Sequence, residues 1–483
     1  MRYSPTVHSP NVQDPEAVAA PSRDALLREG IAYALAHGIC MAQPFAAGRP
    51  LSFTHAPFSL LPTPIPEDAW SEAVALGPIF ARLVDRVAHS EQWLFDVLAE
   101  LEGADEFTNR LIDLWRTAPS AQPLTLGLHR SDYMVDAATG RLLQVELNTI
   151  ASSFGCLSAK VSRMHRYLAE RYHLPSRSLP ENPAGEALPA AIAQAHACYC
   201  AQQKIDPESA VVLFVVQEGE SNTFDQLFLE YELFRAHRVR VERRSLAQIE
   251  ASVELGPRAQ IEVGGAEVSV VYFRAGYSPR DHPSEREWRA RETIERSLAI
   301  KCPSIAYHLV GTKKVQQALA GAGELEHLVD EESDRVRLSS SFAGLWRLSP
   351  ETVEVQQDAL DHPRNYVLKP QREGGGNNLY GEEMRQVLAS LDERAKSAYI
   401  LMSRIYPEAL DHVLVRACAA QEGPAVSELG IFTAYIGDGP PARRVTIRNT
   451  HSGHIVRTKF LGVDEGGVAT GFACLSSPDV IPG

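Results

Sequence analysis

Seven consecutive apolar residues, Ala210-Val211-Val212-Leu213-Phe214-Val215-Val216, set the tightest limit on what this chain can fold into. A strand that is apolar at every position has no face to offer water. It must lie in a sheet covered on both sides, as parallel sheets are. The spacing that follows predicts a helix over 223–237, with Phe224, Leu227, Phe228, Tyr231 and Phe234 as its buried stripe, and strands over 239–241 and 268–273. Strand, helix and strand in alternation imply a compact α/β unit over 208–310. The chain has 483 residues, more than one hydrophobic core serves, so this unit must share the molecule with others.

Before it, periodicity predicts helices over 25–38 and 70–101, and strands over 124–128 and 142–148 joined by a turn near Thr139-Gly140. The proline-rich stretch 175–189 reads as a connection. After it, a helix follows Gly311, the acidic stretch 324–334 reads as exposed, and short strands over 366–369 and 398–402 flank a glycine loop, together forming a mobile cover. Strands over 427–435 and 453–459 close the chain.

Net charge is −14, which argues against a nucleic-acid partner, since such proteins need clustered cations. A few local Arg and Lys can still hold an anionic small molecule. The seven cysteines are scattered and odd in number, so a disulfide framework is not expected. Cys198 and Cys200 form a single C-x-C without the second pair that structural zinc needs. The polar, proline-bearing stretch 1–15 lacks a signal-peptide core, and no stretch is apolar for long enough to span a membrane. Cytoplasm is the expected location.

Chemistry concentrates in a few segments. Val367-Leu368-Lys369-Pro370-Gln371-Arg372-Glu373-Gly374-Gly375-Gly376-Asn377-Asn378 delivers a lysine from a strand, then a carboxylate, three glycines and two amides. Lysine can meet phosphate charge, the carboxylate can hold Mg²⁺, and glycine backbone can close over phosphates. A flexible surface turn is the plainer alternative. Alternation along Gln144-Val145-Glu146-Leu147-Asn148 puts Gln144, Glu146 and Asn148 on one face, an oxygen-rich set suited to a hard cation or to a half-exposed strand.

Arg130, placed between the two strands, can grip a carboxylate or pair with Asp132 at the surface. Ser152 and Ser153 follow the second strand as donors or as a plain turn. The carboxyl ends of the α/β strands, where ligands of open sheets bind, carry Glu220, Asn222 and Gln226, then Arg274 and Tyr277. Lys313 and Lys314 start a helix, against its dipole, which hints at a bound anion. Arg457 and Lys459 share one strand face, and the small-residue loop Glu465-Gly466-Gly467-Val468-Ala469-Thr470-Gly471 follows. The P-loop, dinucleotide, zinc-protease and nucleophile-elbow motifs are absent.

In chain order, Arg130-Ser131-Asp132-Tyr133-Met134, Glu146-Leu147-Asn148-Thr149-Ile150, Tyr272-Phe273-Arg274-Ala275-Gly276-Tyr277, 311–317, 368–380, 427–432 and 457–471 resemble the eukaryotic-type glutathione synthetases. The resemblance implies an ATP-grasp fold of the α/β (α+β) class with an inserted parallel-sheet substrate domain and a glycine-rich lid. Its domains would be 1–207, 208–310 and 311–483, with the lid at about 363–420 and a small-residue loop at 464–472.

It also implies a homodimeric ligase that uses ATP and Mg²⁺ to join glycine to γ-glutamylcysteine through an acyl phosphate. Glu146, Asn148 and Glu373 would bind Mg²⁺. Lys313, Lys369, Glu373, Gly374, Gly375, Gly376, Asn377, Asn378, Tyr380, Met402, Ile405, Glu428, Lys459 and Glu465 would surround ATP. Arg130, Ser152, Ser153, Glu220, Asn222, Gln226, Arg274 and Tyr277 would hold the dipeptide, with Arg457, Val468 and Ala469 at the acceptor end. Arg130, Arg457, Lys313 and Lys369 would carry the catalytic charge. Two positions depart from the pattern: Ala151 stands where the family often has serine, and Thr470 adds bulk beside Ala469. A synthetase using β-alanine or serine, and an ATP-binding switch without catalysis, remain alternatives.

Overall fold

A seven-stranded, mainly antiparallel sheet carries the molecule. Its order is Leu410–Arg416, Phe58–Ser59, Cys474–Ser476, Val445–Phe460, Ala419–Asp438, Thr125–Val135 and Leu142–Asn148. The structure is a computed structural model and describes residues 21–42, 52–118, 120–371 and 376–482.

Alternation along the strands sorts their side chains. Leu126, Leu128, Phe432, Ala434 and Ile436 enter one core with the helices Gly155–Tyr172 and Ala184–Gln203. Tyr133, Leu147, Leu429 and Ile431 enter a second core beneath the helix Glu67–Ala88. On the first of these faces Thr125–Val135 changes character along its length, from Leu126 and Leu128 to Arg130 and Asp132. The apolar half binds helices, and the charged half is left for chemistry.

The fully apolar strand lies where its composition requires. Ala210–Val215 is central in a sheet ordered Ile300–Cys302, Ala266–Phe273, Ala210–Val215, Arg240–Arg244, with every pairing along this path parallel. Val212 and Phe214 join the core of the large sheet, while Val211, Leu213 and Val215 pack with Ile249 and Ile294 on the other side. A third sheet, ordered Leu345–Arg347, Tyr399–Ser403, Tyr366–Pro370, Leu379–Tyr380, is antiparallel and has its own small core around Leu368, Met384 and Leu401.

Several expectations are corrected. The helix expected over 70–101 is two, Glu67–Ala88 and Glu91–Ala99. His89 Nδ1 lies 2.7 Å from the Asp85 carbonyl and Ser90 Oγ donates to that of Arg86 at 2.9 Å, so side chains take over the last carbonyls and end the first helix. The segment His129–Tyr133 is no connection: the strand runs on to Val135. The proline-rich connection stops at 183, because Pro189 already lies inside the helix Ala184–Gln203. In the acidic stretch 324–334, Leu325 and Leu328 are buried.

The expected stripe on Thr223–His237 is also displaced. Tyr231 and Phe234 are more than half exposed, and the buried positions are Asp225, Gln226, Leu229 and Leu233. Phe224 meets Phe53 edge-on at 5.0 Å, and Phe228 receives the Lys160 ammonium over its ring. The aromatic side of the helix thus faces the N-terminal segment, and the polar pair faces inward.

Candidate active site

Two buried polar clusters meet at the loop 149–154. The first stands on the charged end of the large sheet. Strand register sets Arg130 opposite Asn148, Asp132 opposite Glu146, and Glu428 opposite Arg457. Asp132, fully buried, accepts from Arg130 Nε at 2.7 Å on one oxygen. On the other it accepts from Arg130 Nη2 at 2.8 Å, Asn148 Nδ2 at 3.0 Å and Arg457 Nη2 at 2.8 Å. Arg457 also donates to Glu428. The Arg130–Asp132 pair is therefore interior, not at the surface. Gly430 lies opposite Asp132. A Cβ there would stand 2.5 Å from Asp132 Oδ1 and 2.7 Å from Ile455, so only glycine leaves this pair its room.

Sequence alternation assigned Gln144 to the same face, and the structure removes it. The register shifts between Asp132 and Tyr133, so Glu146 opposes Asp132 while Gln144 opposes Tyr133. Val145 is the extra residue of this bulge. Gln144 Nε2 instead donates to Ser131 Oγ at 2.7 Å, and its oxygen accepts from Gln316 at 3.1 Å, on the helix-covered face.

Lysines surround the carboxylates. Lys313 Nζ reaches Glu146 at 3.0 Å, and Lys369 donates to the Val145 carbonyl at 2.9 Å. Lys459 donates to the Asp464 carbonyl. Lys314 points away, to Glu100 and Gln317. The helix that starts at Lys313 comes close because Gly311 has no side chain: a Cβ there would stand 2.4 Å from Thr149 Oγ1.

Burial would raise the Glu146 carboxyl, but Lys313, Arg457, Lys369 and Arg130 hold it well below the usual range. Burial pushes Glu428 up, against the pull of Arg457. Burial, reinforced by Lys313, brings the Lys369 ammonium down to about 8. Among the described residues Arg130, Lys313, Lys369, Arg457 and Lys459 surround Asp132, Glu146 and Glu428, with Asp464 and Glu465 beyond Lys459. Lysines gathered at one end of the site suit a polyanion.

Beside these lysines a cavity opens between the third sheet and the large one. Val145, Val367, Met402, Ile405, Tyr380 and Lys459 are among its walls, and Asn378 donates to the Tyr380 hydroxyl at 3.4 Å. Apolar walls with lysines at one end match a base with phosphates attached. Arg404 closes the rim, bonded to Asp464 at 2.6 Å and lying 5.2 Å from the Tyr380 ring centre. Glu465 is half-buried near the same rim. Gly376 has φ +88°, in the left-handed region. Glu373, Gly374 and Gly375 lie outside the described residues.

Whether a hard cation fits can be judged from the donors. Asn148 commits its amide nitrogen to Asp132 and to the Arg130 carbonyl, leaving the oxygen as its uncommitted end. Beside it Glu146 is held as a carboxylate and keeps 23% of its side chain exposed. One carboxylate and one amide oxygen are hard ligands of the right kind but too few to close a site. Among the described residues no group of three His, Cys, Asp or Glu does so, so any further coordination would come from outside this set.

The second cluster lies at the carboxyl ends of the parallel strands. Arg274, 3% exposed, follows the strand Ala266–Phe273 and donates to the Ser152 carbonyl at 3.3 Å. Arg130 Nη1 donates to the Ser153 carbonyl at the same distance. One short loop thereby links both clusters. Arg274 also lies 3.8 Å from Asp225. Asp225 accepts from the backbone N–H of Phe154, Cys156 and Leu157 at 2.8, 2.9 and 3.1 Å, fixing the start of the helix Gly155–Tyr172. Ala151 and Phe154 take positive φ in this loop. Ser152 turns its hydroxyl to the Asn148 carbonyl.

Glu220 accepts from Gln217 at 2.9 Å and from the Asn222 N–H at 2.9 Å, and burial raises the Tyr277 phenol. Both side-chain atoms of Asn222, Gln226 Nε2 and Arg274 Nε are buried with no hydrogen-bond partner among the described residues. Such groups are costly to bury alone and point to a ligand that would satisfy them.

The small-residue loop lies against the first cluster. A Cβ on Gly466 would stand 3.5 Å from Glu428 Oε2. Val468 is buried in the main core, whereas Ala469 and Thr470 are exposed. Thr470 donates its hydroxyl to the Gly467 carbonyl at 3.0 Å. Sequence reasoning offered Asp132 only as a surface partner of Arg130 and passed over Asp225. Asp225 gave no signal apart from being an acid in the first turn of a helix.

The model of the eukaryotic glutathione synthase ATP-binding domain matches residues 21–480. The chloroplastic glutathione synthetase of Solanum lycopersicum is 42% identical over 438 residues, 88% of this chain and 78% of that protein. The human glutathione synthetase is 39% identical over 469 residues, 94% and 96% of the two chains. That of Dictyostelium discoideum is 37% identical over 476 residues, 94% and 98%. A glutathione synthetase-like effector of Globodera pallida, solved in its apo form, shares the fold with TM-score 0.75 at 19% identity, covering 94% of this chain and 96% of its own. The mixed α/β architecture expected of an ATP-grasp protein is thus the one found, and the chain belongs to the eukaryotic glutathione synthase family.

Proposed function

We propose that the protein is a glutathione synthetase, joining glycine to γ-glutamylcysteine as ATP becomes ADP and phosphate. The observation that carries this reading is the loop 149–154. It joins a cation-rich face, suited to triphosphate, to a pocket of unpartnered donors and acceptors suited to a zwitterionic peptide.

The cysteinyl carboxylate of the dipeptide attacks the γ-phosphorus of ATP and ADP leaves, giving an acyl phosphate. The glycine amine then attacks the activated carbonyl and phosphate leaves. Lys313 and Lys369 meet the phosphate charge, and Arg130 and Arg457 stabilise the oxyanion at the carbonyl. Glu146, Asn148 and Glu373 would hold Mg²⁺, which supplies neutralisation of phosphate charge when bound. Asn222, Gln226 and Arg274 bind the dipeptide, with Glu220 and Tyr277 at its edge. The third sheet and the loop 464–472 exclude water from the acyl phosphate. Because Thr470 spends its hydroxyl on its own loop, it leaves the acceptor pocket without an added donor, which supports glycine. We further propose a homodimer and, given seven unpaired cysteines, a reducing compartment such as the cytoplasm.

The test is ADP release with γ-glutamylcysteine, Mg²⁺ and ATP, adding glycine, β-alanine or serine separately and weighing the product. Glycine-dependent release with glutathione formed is the expected result. Turnover only with another acceptor moves the substrate, and ATP binding without turnover sinks the ligase reading.

A further inference from the structure

We infer that Asp132 is a positioning residue of this site, holding both arginines and the amide of Asn148 in their working orientations. The inference rests on the ligase reading above and adds a residue to it. Asp132 has no exposed surface, so it acts through its neighbours. Its two oxygens accept four hydrogen bonds, two from Arg130, one from Arg457 and one from Asn148.

Three consequences follow from that geometry. First, a carboxylate gripped by two N–H groups of one guanidinium fixes its plane. With Nε and Nη2 held by Asp132, Arg130 keeps Nη1 free to reach the loop 149–154, where it bonds Ser153. Second, Arg457 is shared between Asp132 and Glu428. Two guanidiniums approach one carboxylate whose negative charge offsets their mutual repulsion. Third, an amide has one donor end and one acceptor end. Because Asn148 gives its nitrogen to Asp132, its oxygen is the end left for a cation. A single buried carboxylate thereby sets an acid-binding cation, an oxyanion-binding cation and a metal-facing oxygen at once. Glycine at 430 makes this possible, since a Cβ there would stand 2.5 Å from Asp132 Oδ1 and 3.0 Å from the Arg130 side chain.

The decisive variant is Asp132→Asn, which keeps shape but places an NH₂ among groups that all donate. With the amide oxygen at the Oδ1 position, Arg130 Nη2, Asn148 and Arg457 lose their acceptor; with it at the Oδ2 position an NH₂ is turned onto Arg130 Nε, and in either case the negative charge between the two guanidiniums is gone. Hydrogen bonds to charged groups are worth enough to move binding on the order of 10- to 100-fold. The expected result is a folded protein with KM for γ-glutamylcysteine raised at least about tenfold. Mn²⁺ affinity of its ATP complex, read by electron paramagnetic resonance, should weaken similarly. Values within about twofold of the parent in both readouts overturn the assignment.

Should Asp132→Asn not fold, Asp132→Glu keeps the charge but moves the anchors by one methylene. Folding with both readouts still displaced supports positioning. Parental values, or failure of both variants to fold, make Asp132 a structural residue only. If the parent itself shows no glycine-dependent turnover, the ligase reading fails. Mn²⁺ binding and calorimetric binding of glutathione then still decide the role of Asp132.

Discussion

The two halves of the site handle buried polarity in opposite ways. On the large sheet the guanidiniums and carboxylates are paired with one another: Arg130 and Arg457 with Asp132, Arg457 with Glu428, Lys313 with Glu146. At the ends of the parallel strands the Asn222 amide, Gln226 Nε2 and Arg274 Nε are buried without a partner among the described residues. The first half offsets much of its positive charge before ATP arrives, so it can hold concentrated cations without unfolding. The second is left incomplete, so a dipeptide that supplies the missing partners is favoured over one that does not.

That contrast can be broken most sharply at Arg457. Arg457→Ala leaves Glu428 and Asp132 buried without their shared cation, a loss of about 3–5 kcal/mol of stability. It also removes an oxyanion donor, for a fall of about a thousandfold in turnover. Denaturant unfolding and ADP release measure the two effects. A variant as stable as the parent would show that the partners on this half are not balancing one another.

Asn222→Ala should behave in the reverse manner. Its amide has no partner to lose, so stability should stay within about 0.5 kcal/mol, while KM for the dipeptide rises roughly tenfold. A large loss of stability with unchanged KM would mean that the amide serves the fold instead.

The smallest effect is a pH dependence at Lys369. Burial holds its ammonium near 8 in the folded protein, against about 10.4 in an unfolded chain. The charge that meets phosphate is therefore present at neutral pH and lost as pH rises through about 8. The unfolded chain keeps its proton until about 10.4, so this group's contribution to folding stability improves between those values. ATP affinity should decline above pH 8 by up to about tenfold per unit, and Lys369→Arg should flatten the decline. An unchanged slope in that variant would remove Lys369 from the phosphate contact.

Much of this was legible in the sequence, for reasons specific to each element. The uninterrupted run 210–216 could only be a covered parallel strand, and Lys369, Glu146 and Arg457 stood on strands whose alternation gives their facing. Alternation failed at Gln144 because the bulge at Val145 adds a residue, and a bulge is a property of two strands together. It failed on Thr223–His237 because Phe224, Phe228, Tyr231 and Phe234 form a better apolar stripe than the buried one. There Asp225 and Gln226 face inward for the site's chemistry, against hydrophobic preference. Gly430 and Gly311 could not be explained until the atoms opposite them were placed.

The sharing of one core between the large sheet and one face of the parallel sheet bears on how separable this protein is. A piece cut out as 208–310 would keep only the helix Thr223–His237 over Val212, Phe214, Val270, Tyr272 and Ile300, leaving part of that apolar face uncovered. Such a fragment would be expected to clump when expressed alone. Swapping that segment between relatives to retune peptide choice would succeed only if the facing residues of the helix Ala184–Gln203 travelled with it.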